Sequence, residues 1–92
     1  MNEKGRIGEM ISKETQIEAI VYFSKEDDLP IPLRLKIFTP DEPVVIKVKY
    51  VAEAKPDTFT FVKYICVYED SGVEKRIRIT YDRSNLKWYL TD

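Results

Sequence analysis

Hydrophobic and polar residues alternate along most of the chain after residue 14, and an alternation with a period of two predicts β-strands. In the first such stretch Ile17, Ala19, Val21 and Phe23 fall on one side of the predicted strand. Residues 1–14 are polar with a few apolar residues at helical spacing, so we expect a short N-terminal helical turn or a disordered tail there. The predicted strands are residues 15–24, 33–39, 44 to about 52, 58–69, 73–82 and 86–91.

Short turn segments separate these strands. The prolines of Pro40 to Pro43 favour a turn, and Asp70-Ser71-Gly72 supplies a hairpin in which glycine can take a positive φ. Connections this short leave no room for crossover helices, so consecutive strands should pair antiparallel. The sequence therefore predicts an all-β fold, a six-stranded antiparallel meander that forms a small barrel or a half-open roll. In a chain of 92 residues we expect residues 15–92 to be a single β domain after the tail or short helix of residues 1–14.

The registers of three hairpins can also be predicted, because slipping a strand by one residue would turn every apolar side chain towards solvent. Phe59 and Phe61 are an odd number of residues from Tyr64, so a regular strand would place them on the opposite face. A β-bulge near Val62-Lys63 would reconcile them and is therefore predicted. The predicted partners are Ile37 with Ile46, Leu35 with Val48, Leu33 with Tyr50, Cys66 with Ile77, Tyr64 with Ile79, Ile79 with Trp88, Ile77 with Leu90 and Tyr81 with Leu86.

The outward face of the predicted sheet carries many cations. In the predicted register Lys36 lies opposite Lys47 and Arg34 lies opposite Lys49, although like charges in directly opposed positions destabilise a sheet. A basic sheet face with interleaved apolar and aromatic groups is typical of surfaces that bind nucleic acid. The candidate contacts for an anion or a nucleic acid are Arg34, Lys36, Lys47, Lys49, Arg76, Arg78 and Tyr89.

Neighbouring carboxylates offer an alternative interpretation of this cationic face. Glu18, Glu53 and Glu74 are expected near the cations, and they would leave a neutralised, solvated surface of long side chains. The sequence leaves both interpretations open.

Ile65 and Val67 are the candidate protein interface. Both face outward on a central strand, where two large aliphatic side chains need a cover. The N-terminal segment, with Ile7, Met10 and Ile11, could supply that cover. A second copy of the chain in a homodimer could supply it equally well.

Composition and charge restrict the chemistry. The chain has 15 Lys and Arg against 16 Asp and Glu, a net charge of −1, so no global field attracts nucleic acid or an anionic membrane. It has no histidine, which removes the most common general base near neutral pH, histidine-based triads and most zinc sites. We therefore predict a protein that is not an enzyme and has no catalytic residue, no cofactor and no metal site.

Cysteine usage and the N-terminus bear on location. Cys66 is the only cysteine, so the chain cannot form an internal disulfide, and its place in a strand predicts a small buried hydrophobe. The N-terminus is polar, and the chain lacks the run of about 18 apolar residues that marks a membrane-spanning helix. These features favour a reducing, cytoplasmic location without membrane attachment.

Several patterned strands resemble those of a known group. They are Pro32-Leu33, Val44 to Tyr50, Tyr64-Ile65-Cys66, Ile77-Arg78-Ile79 and Lys87-Trp88. On these residues the segment from about residue 17 to residue 90 resembles a group of short uncharacterised bacterial all-β proteins, a domain of unknown function. The resemblance implies the β fold and no particular activity, and the N-terminal segment is an addition relative to the shorter members of the group.

Two functional hypotheses follow from these residues. The leading one is a non-enzymatic binding or interaction module, whose partner is an unknown protein or a second copy of the chain. The alternative is a nucleic-acid-binding β domain that uses the basic sheet face on phosphates, with Tyr89 stacking on a base.

Overall fold

The structure is a computed structural model that describes residues 15–26 and 28–91. Every regular element among these residues is a strand, which confirms the predicted all-β fold. The predicted N-terminal helical turn or tail lies outside the described residues. The strands are β1 (Gln16–Tyr22), β2 (Ile31–Ile37), β3 (Val44–Lys47), β4 (Tyr50–Pro56), β5 (Phe61–Asp70), β6 (Val73–Asp82) and β7 (Lys87–Leu90).

The strands form one curled antiparallel sheet in the order β3-β2-β1-β7-β6-β5-β4. Two meanders, β1 to β3 and β4 to β7, are joined where β1 pairs with β7. The short connections explain this order, because each strand pairs with a neighbour in sequence wherever the turn allows it. The sheet is therefore the predicted meander, curled into a half-barrel.

The predicted third strand is divided into β3 and β4 by a bend at Val48 and Lys49. The backbone N–H of Val48 donates to the carbonyl of Leu33 on β2 at 2.9 Å, whereas that of Lys49 donates to the carbonyl of Val67 on β5 at 2.7 Å. Two consecutive residues thus bond to strands near opposite ends of the sheet order. The continuous alternation in the sequence cannot reveal such a bend, because it reports the faces of a strand and not the identity of its partners.

The predicted register of β5 and β6 is confirmed, with Cys66 opposite Ile77 and Tyr64 opposite Ile79. The other predicted partners are wrong by two residues, since Leu35 lies opposite Ile46 on β3. A shift of two residues keeps a side chain on its predicted face. Tyr50 is an exception, because beyond the bend it lies opposite Val67 on β5 and not opposite Leu33 on β2. At the other end of the chain Ile79 pairs with Leu90 and Tyr81 with Trp88.

The position of each turn explains the shift. Between β2 and β3 the Thr39 hydroxyl accepts from the backbone N–H of Glu42, which centres the turn on Pro40-Asp41, one residue earlier than predicted. Between β6 and β7 the Asp82 carboxylate accepts from the backbone of Ser84 at 2.9 Å, which places the turn one residue later. Displacing a turn by one residue changes the strand partners by two.

The predicted bulge near Val62-Lys63 is wrong, because β5 pairs with β6 without interruption from residue 61 to residue 70. Phe59 lies outside the strand in an exposed turn, and Phe61 faces outward, so neither needs to reach the core. The register irregularities lie instead between Ile20 and Val21 on β1 and between residues 51 and 53 on β4.

The core fills the inner face of the curled sheet around Trp88. Its ring stacks on Tyr81 at a centroid distance of 4.5 Å and lies 5.3 Å from the ring of Tyr64. The Tyr64 hydroxyl donates to the carbonyl of Pro30 at 2.6 Å and so ties the β1–β2 connection to β5. Cys66 is fully buried as predicted, and burial raises the pKa of its thiol to about 11.

Candidate binding surface on the outer face

The predicted cations of β2 and β3 share the outer face of the sheet, but with altered partners. Arg34 lies opposite Lys47, and Lys36 lies between Glu18 on β1 and Val45 on β3. The predicted pairings of Lys36 with Lys47 and of Arg34 with Lys49 are therefore wrong. One directly opposed pair of like charges remains, where two were expected.

Apolar side chains lie among these cations. Ile20, which is opposite Arg34, is 62% exposed, and Val45, which is opposite Lys36, is 59% exposed. We call this surface the basic face and define it by Ile20, Arg34, Lys36, Val45 and Lys47.

The cations of the basic face have no carboxylate partner in the part of the chain that the structure describes. Arg34, Lys36 and Lys47 form no ion pair there, although Glu18 lies directly across the ladder from Lys36. The Lys36 ammonium instead lies 5.5 Å from the centroid of the Phe38 ring, a contact that stabilises a cation weakly at an exposed site. Among the described residues, the positive charge of this face is therefore not neutralised by an ion pair.

Lys49 belongs to a different environment. Its ammonium group donates to Glu74 at 2.9 Å, and this hydrogen bond, together with the Glu74 charge, raises the pKa of Lys49. For this one candidate cation the structure supports neutralisation by a neighbouring carboxylate.

The cations of β6 lie beside Lys49 on a second surface. Arg78 lies opposite Ile65, which in turn lies opposite Glu53, while Arg76 lies opposite Val67. Carboxylates and cations therefore alternate here. We call this surface the mixed-charge face and define it by Lys49, Glu53, Ile65, Val67, Glu74, Arg76 and Arg78.

The candidate protein interface lies in the middle of the mixed-charge face. Val67 is only 1% exposed, and it lies between Tyr50 and Arg76 in the ladder. Its side chain therefore offers a partner almost no surface in this conformation. Ile65 is half-buried and keeps some accessible area.

The structure does not assemble the candidate contacts into one cluster. Strands β1 and β7 lie between β2 and β6, a separation of about 14 Å along this part of the curved sheet. On the other side, the bend at Val48 and Lys49 lies between β2 and β5. Tyr89 lies on β7 between Gln16 and Thr80, which places it one strand from Arg78 on β6 and two strands from the cations of β2. The structure brings Arg34 together with Lys36 and Lys47, and separately Arg76 with Arg78.

A groove adjoins the basic face where β1 and β7 separate. It has a volume of about 610 Å³, and Leu86 and Lys87 form the wall opposite β1. Leu86 takes a φ of +59°, a left-handed conformation that is uncommon for leucine, and its side chain is 72% exposed. Four residues of this region were not predicted from the sequence as contacts: Ile20, Val45, Leu86 and Lys87. The one signal in the sequence is the apolar Ile20 on the polar side of β1.

In comparisons with known proteins, no protein-family model, no curated protein and no solved structure matches the chain. Within residues 15–26 and 28–91 no three carboxylate or thiol side chains are grouped closely enough to hold a metal ion. The same residues include no helix long and apolar enough to cross a membrane.

Proposed function

We propose that this protein is a non-enzymatic binding module that contacts an anionic partner through its basic face. The observation that carries the proposal is the combination of three cations without a described carboxylate partner and two aliphatic side chains that are more than half exposed. Opposed cations on a sheet destabilise it, and an anion bound between them would remove that cost. Covering Ile20 and Val45 would add a hydrophobic contribution.

A second copy of the chain is a poorer partner for this face. A symmetric dimer would place the same patch of each subunit against its counterpart, so cations would meet cations. The mixed-charge face avoids that repulsion, but it offers little apolar area because Val67 is buried. The charge distribution therefore favours a different, acidic molecule.

A charge-reversal experiment tests the proposal. A fluorescent peptide of alternating glutamate and valine is titrated with the wild type and with the double variant Arg34→Glu/Lys36→Glu, and binding is followed by anisotropy. We expect the double variant to bind at least about tenfold more weakly, and the wild-type affinity to fall as salt is added.

The matched control is Arg76→Glu/Arg78→Glu, which reverses the same number of charges on the mixed-charge face. It should change the affinity by no more than about twofold, since its effect is limited to the long-range field. Equal losses in the two double variants, or no binding by the wild type at low salt, would contradict the proposal.

A nucleic-acid partner is the second candidate, and the three unpaired cations are the observation that favours it. The position of Tyr89 on β7 weakens this candidate, because stacking on Tyr89 and phosphate contacts with the cations of the basic face would lie on separate parts of the sheet. Single-stranded oligothymidine, titrated in parallel with the acidic peptide, separates the two. Tighter binding of the oligonucleotide, lost in Arg34→Glu/Lys36→Glu and steeply salt-dependent, would make nucleic acid the partner.

A reducing, cytoplasmic location suits this role. Support comes from Cys66, the sole cysteine, which is buried and forms no disulfide. The resemblance to a group of short bacterial proteins also stays a prediction.

A further inference from the structure

One edge of β1 has no described ladder partner over most of the strand's length. The pairing of β1 with β7 covers Gln16 and Ile17 and ends at Trp88, whereas β1 continues to Tyr22. On its other edge β1 pairs with β2 from Glu18 onwards. The second half of β1 is therefore bonded on one side only among the described residues.

The hydrogen-bonding groups on this open edge can be identified from the ladder. The N–H of Leu90 donates to the carbonyl of Thr15 at 2.9 Å, and in an antiparallel pair every second residue bonds to the same neighbouring strand. Residues 15 and 17 thus bond to β7. The same alternation directs the N–H and carbonyl groups of Ala19 and Val21 towards the open edge, where no described strand meets them.

The open edge forms one wall of the groove beside the basic face. Arg34, Lys36 and Lys87 line this groove, and Glu18 is the only described carboxylate among its lining residues. The exposed side chains of Ile20 and Leu86 supply apolar surface along it. Charge and apolar area both favour an acidic partner with hydrophobic residues.

We infer that the groove binds an extended acidic peptide, which adds to β1 as a further strand. This inference rests on the proposed function and specifies its partner. The peptide backbone bonds to Ala19 and Val21, as in other cases of strand addition. Because side chains alternate along a strand, every second residue of the peptide lies on the outer face next to Glu18 and Ile20, and the residues between point towards the core. The cations Arg34 and Lys36 lie one strand further away on β2, and Lys87 lies on the opposite wall of the groove. A peptide that alternates acidic and aliphatic residues fits this pattern.

The edge of β4 that has no partner among the described strands provides a contrast. It carries Pro56 and Lys55, two features that hinder the addition of a strand, whereas a register irregularity is present in both β1 and β4. The open half of β1 has no proline and lies beside cations. We therefore place the added strand at β1 and not at β4.

A proline substitution tests the inference directly. Ala19→Pro removes an N–H from the open edge, while the bonds of β1 to β2 come from the even-numbered residues and are kept. We expect the variant to bind the alternating glutamate–valine peptide at least about tenfold more weakly than the wild type. The control is Ala54→Pro, where the same change is made on the free edge of β4, and its affinity should stay within about twofold.

A modified peptide gives a second measurement that does not depend on the folding of a variant. Methylating every second backbone nitrogen of the peptide blocks its hydrogen bonds to β1 but keeps its charges, so the wild type should bind it at least about tenfold more weakly.

The outcomes separate the two proposals. Binding that needs Arg34 and Lys36 but is unchanged by Ala19→Pro and by peptide methylation would overturn strand addition and leave the proposed function standing. No binding of the peptide by the wild type would overturn both. Binding that appears only after deletion of residues 1–14 would identify that segment as the occupant of the groove and would also overturn the inference.

Discussion

The basic face and the mixed-charge face arise from the same sequence pattern, in which cations alternate with apolar residues on outward positions. On the basic face Arg34 and Lys47 oppose each other without a described carboxylate partner, and Val45 is exposed. On the mixed-charge face Lys49 is paired with Glu74, and Val67 is buried. The neighbours across the sheet, and not the alternation itself, decide whether a cationic stripe is neutralised.

Position in the sheet order explains the difference in exposure. Val67 lies on β5, which has a strand on each side, and its ladder neighbours are Tyr50 and Arg76. Val45 lies on β3, which among the described strands is an edge strand with a neighbour on one side only. A central outward residue is covered by the side chains of two neighbours, whereas an edge residue keeps half of its surroundings open.

Introducing aspartate on each face should give the largest contrast. Val67→Asp places a carboxyl group where the native side chain is fully buried, and we expect the free energy of unfolding to fall by at least about 3 kcal/mol. Val45→Asp places the same group in solvent beside Lys36 and should change the free energy of unfolding by no more than about 0.5 kcal/mol. Urea unfolding at neutral pH measures both values.

The same pair of variants can contradict the difference in exposure between the two faces. If Val67→Asp is as stable and as soluble as the wild type, Val67 is accessible in solution and becomes available as the protein interface that the sequence suggested. If Val45→Asp is strongly destabilised, the basic face is covered within the monomer.

Alkaline pH tests whether the sheet beneath the mixed-charge face excludes water. Cys66 lies on the inner face of β5 next to Val67, and burial raises the pKa of its thiol from 9.0 to about 11. Above pH 9 the unfolded thiol loses its proton while the folded thiol keeps it, so the free energy of unfolding should fall as pH rises to about 11 and change no further. The total decrease in the free energy of unfolding is about 3 kcal/mol or less.

Cys66→Ala isolates this contribution, because tyrosines and lysines also titrate in the alkaline range. Urea unfolding of the wild type and the variant is compared between pH 9 and pH 11, and only the wild type should show the additional decrease. A difference between the two proteins that is independent of pH would show that water reaches the thiol, and the mixed-charge half would then be less closed than the buried Val67 indicates.

Much of the fold could be predicted because faces follow from periodicity. The inward positions of Leu35, Cys66 and Trp88 were identified correctly, even where the strand partners were wrong by two residues. The bend at Val48 and Lys49 could not be predicted, since it depends on where the sheet curls back on itself.

The candidate site was predicted less well than the fold. The outward direction of Arg34 and Lys36 follows from alternation, but the separation of the β2 cations from those of β6 depends on β1 and β7 lying between them. That arrangement follows from the pairing of the first strand with the last, a long-range contact that produces no local pattern in the sequence. The groove likewise depends on where this pairing ends, at Trp88.

Removing single lysines from the two faces should give the smallest effect and the most direct test of their electrostatics. Lys49→Ala deletes the partner of Glu74, so we expect a small decrease in Tm at low salt that disappears at high salt, where screening already weakens the pair. Lys47→Ala removes a cation opposite Arg34 and should leave Tm unchanged or slightly higher at low salt. Thermal unfolding at two ionic strengths measures both. An equal, salt-sensitive decrease in Lys47→Ala would mean that a carboxylate neutralises the basic face in solution, and the two faces would then be electrostatically alike.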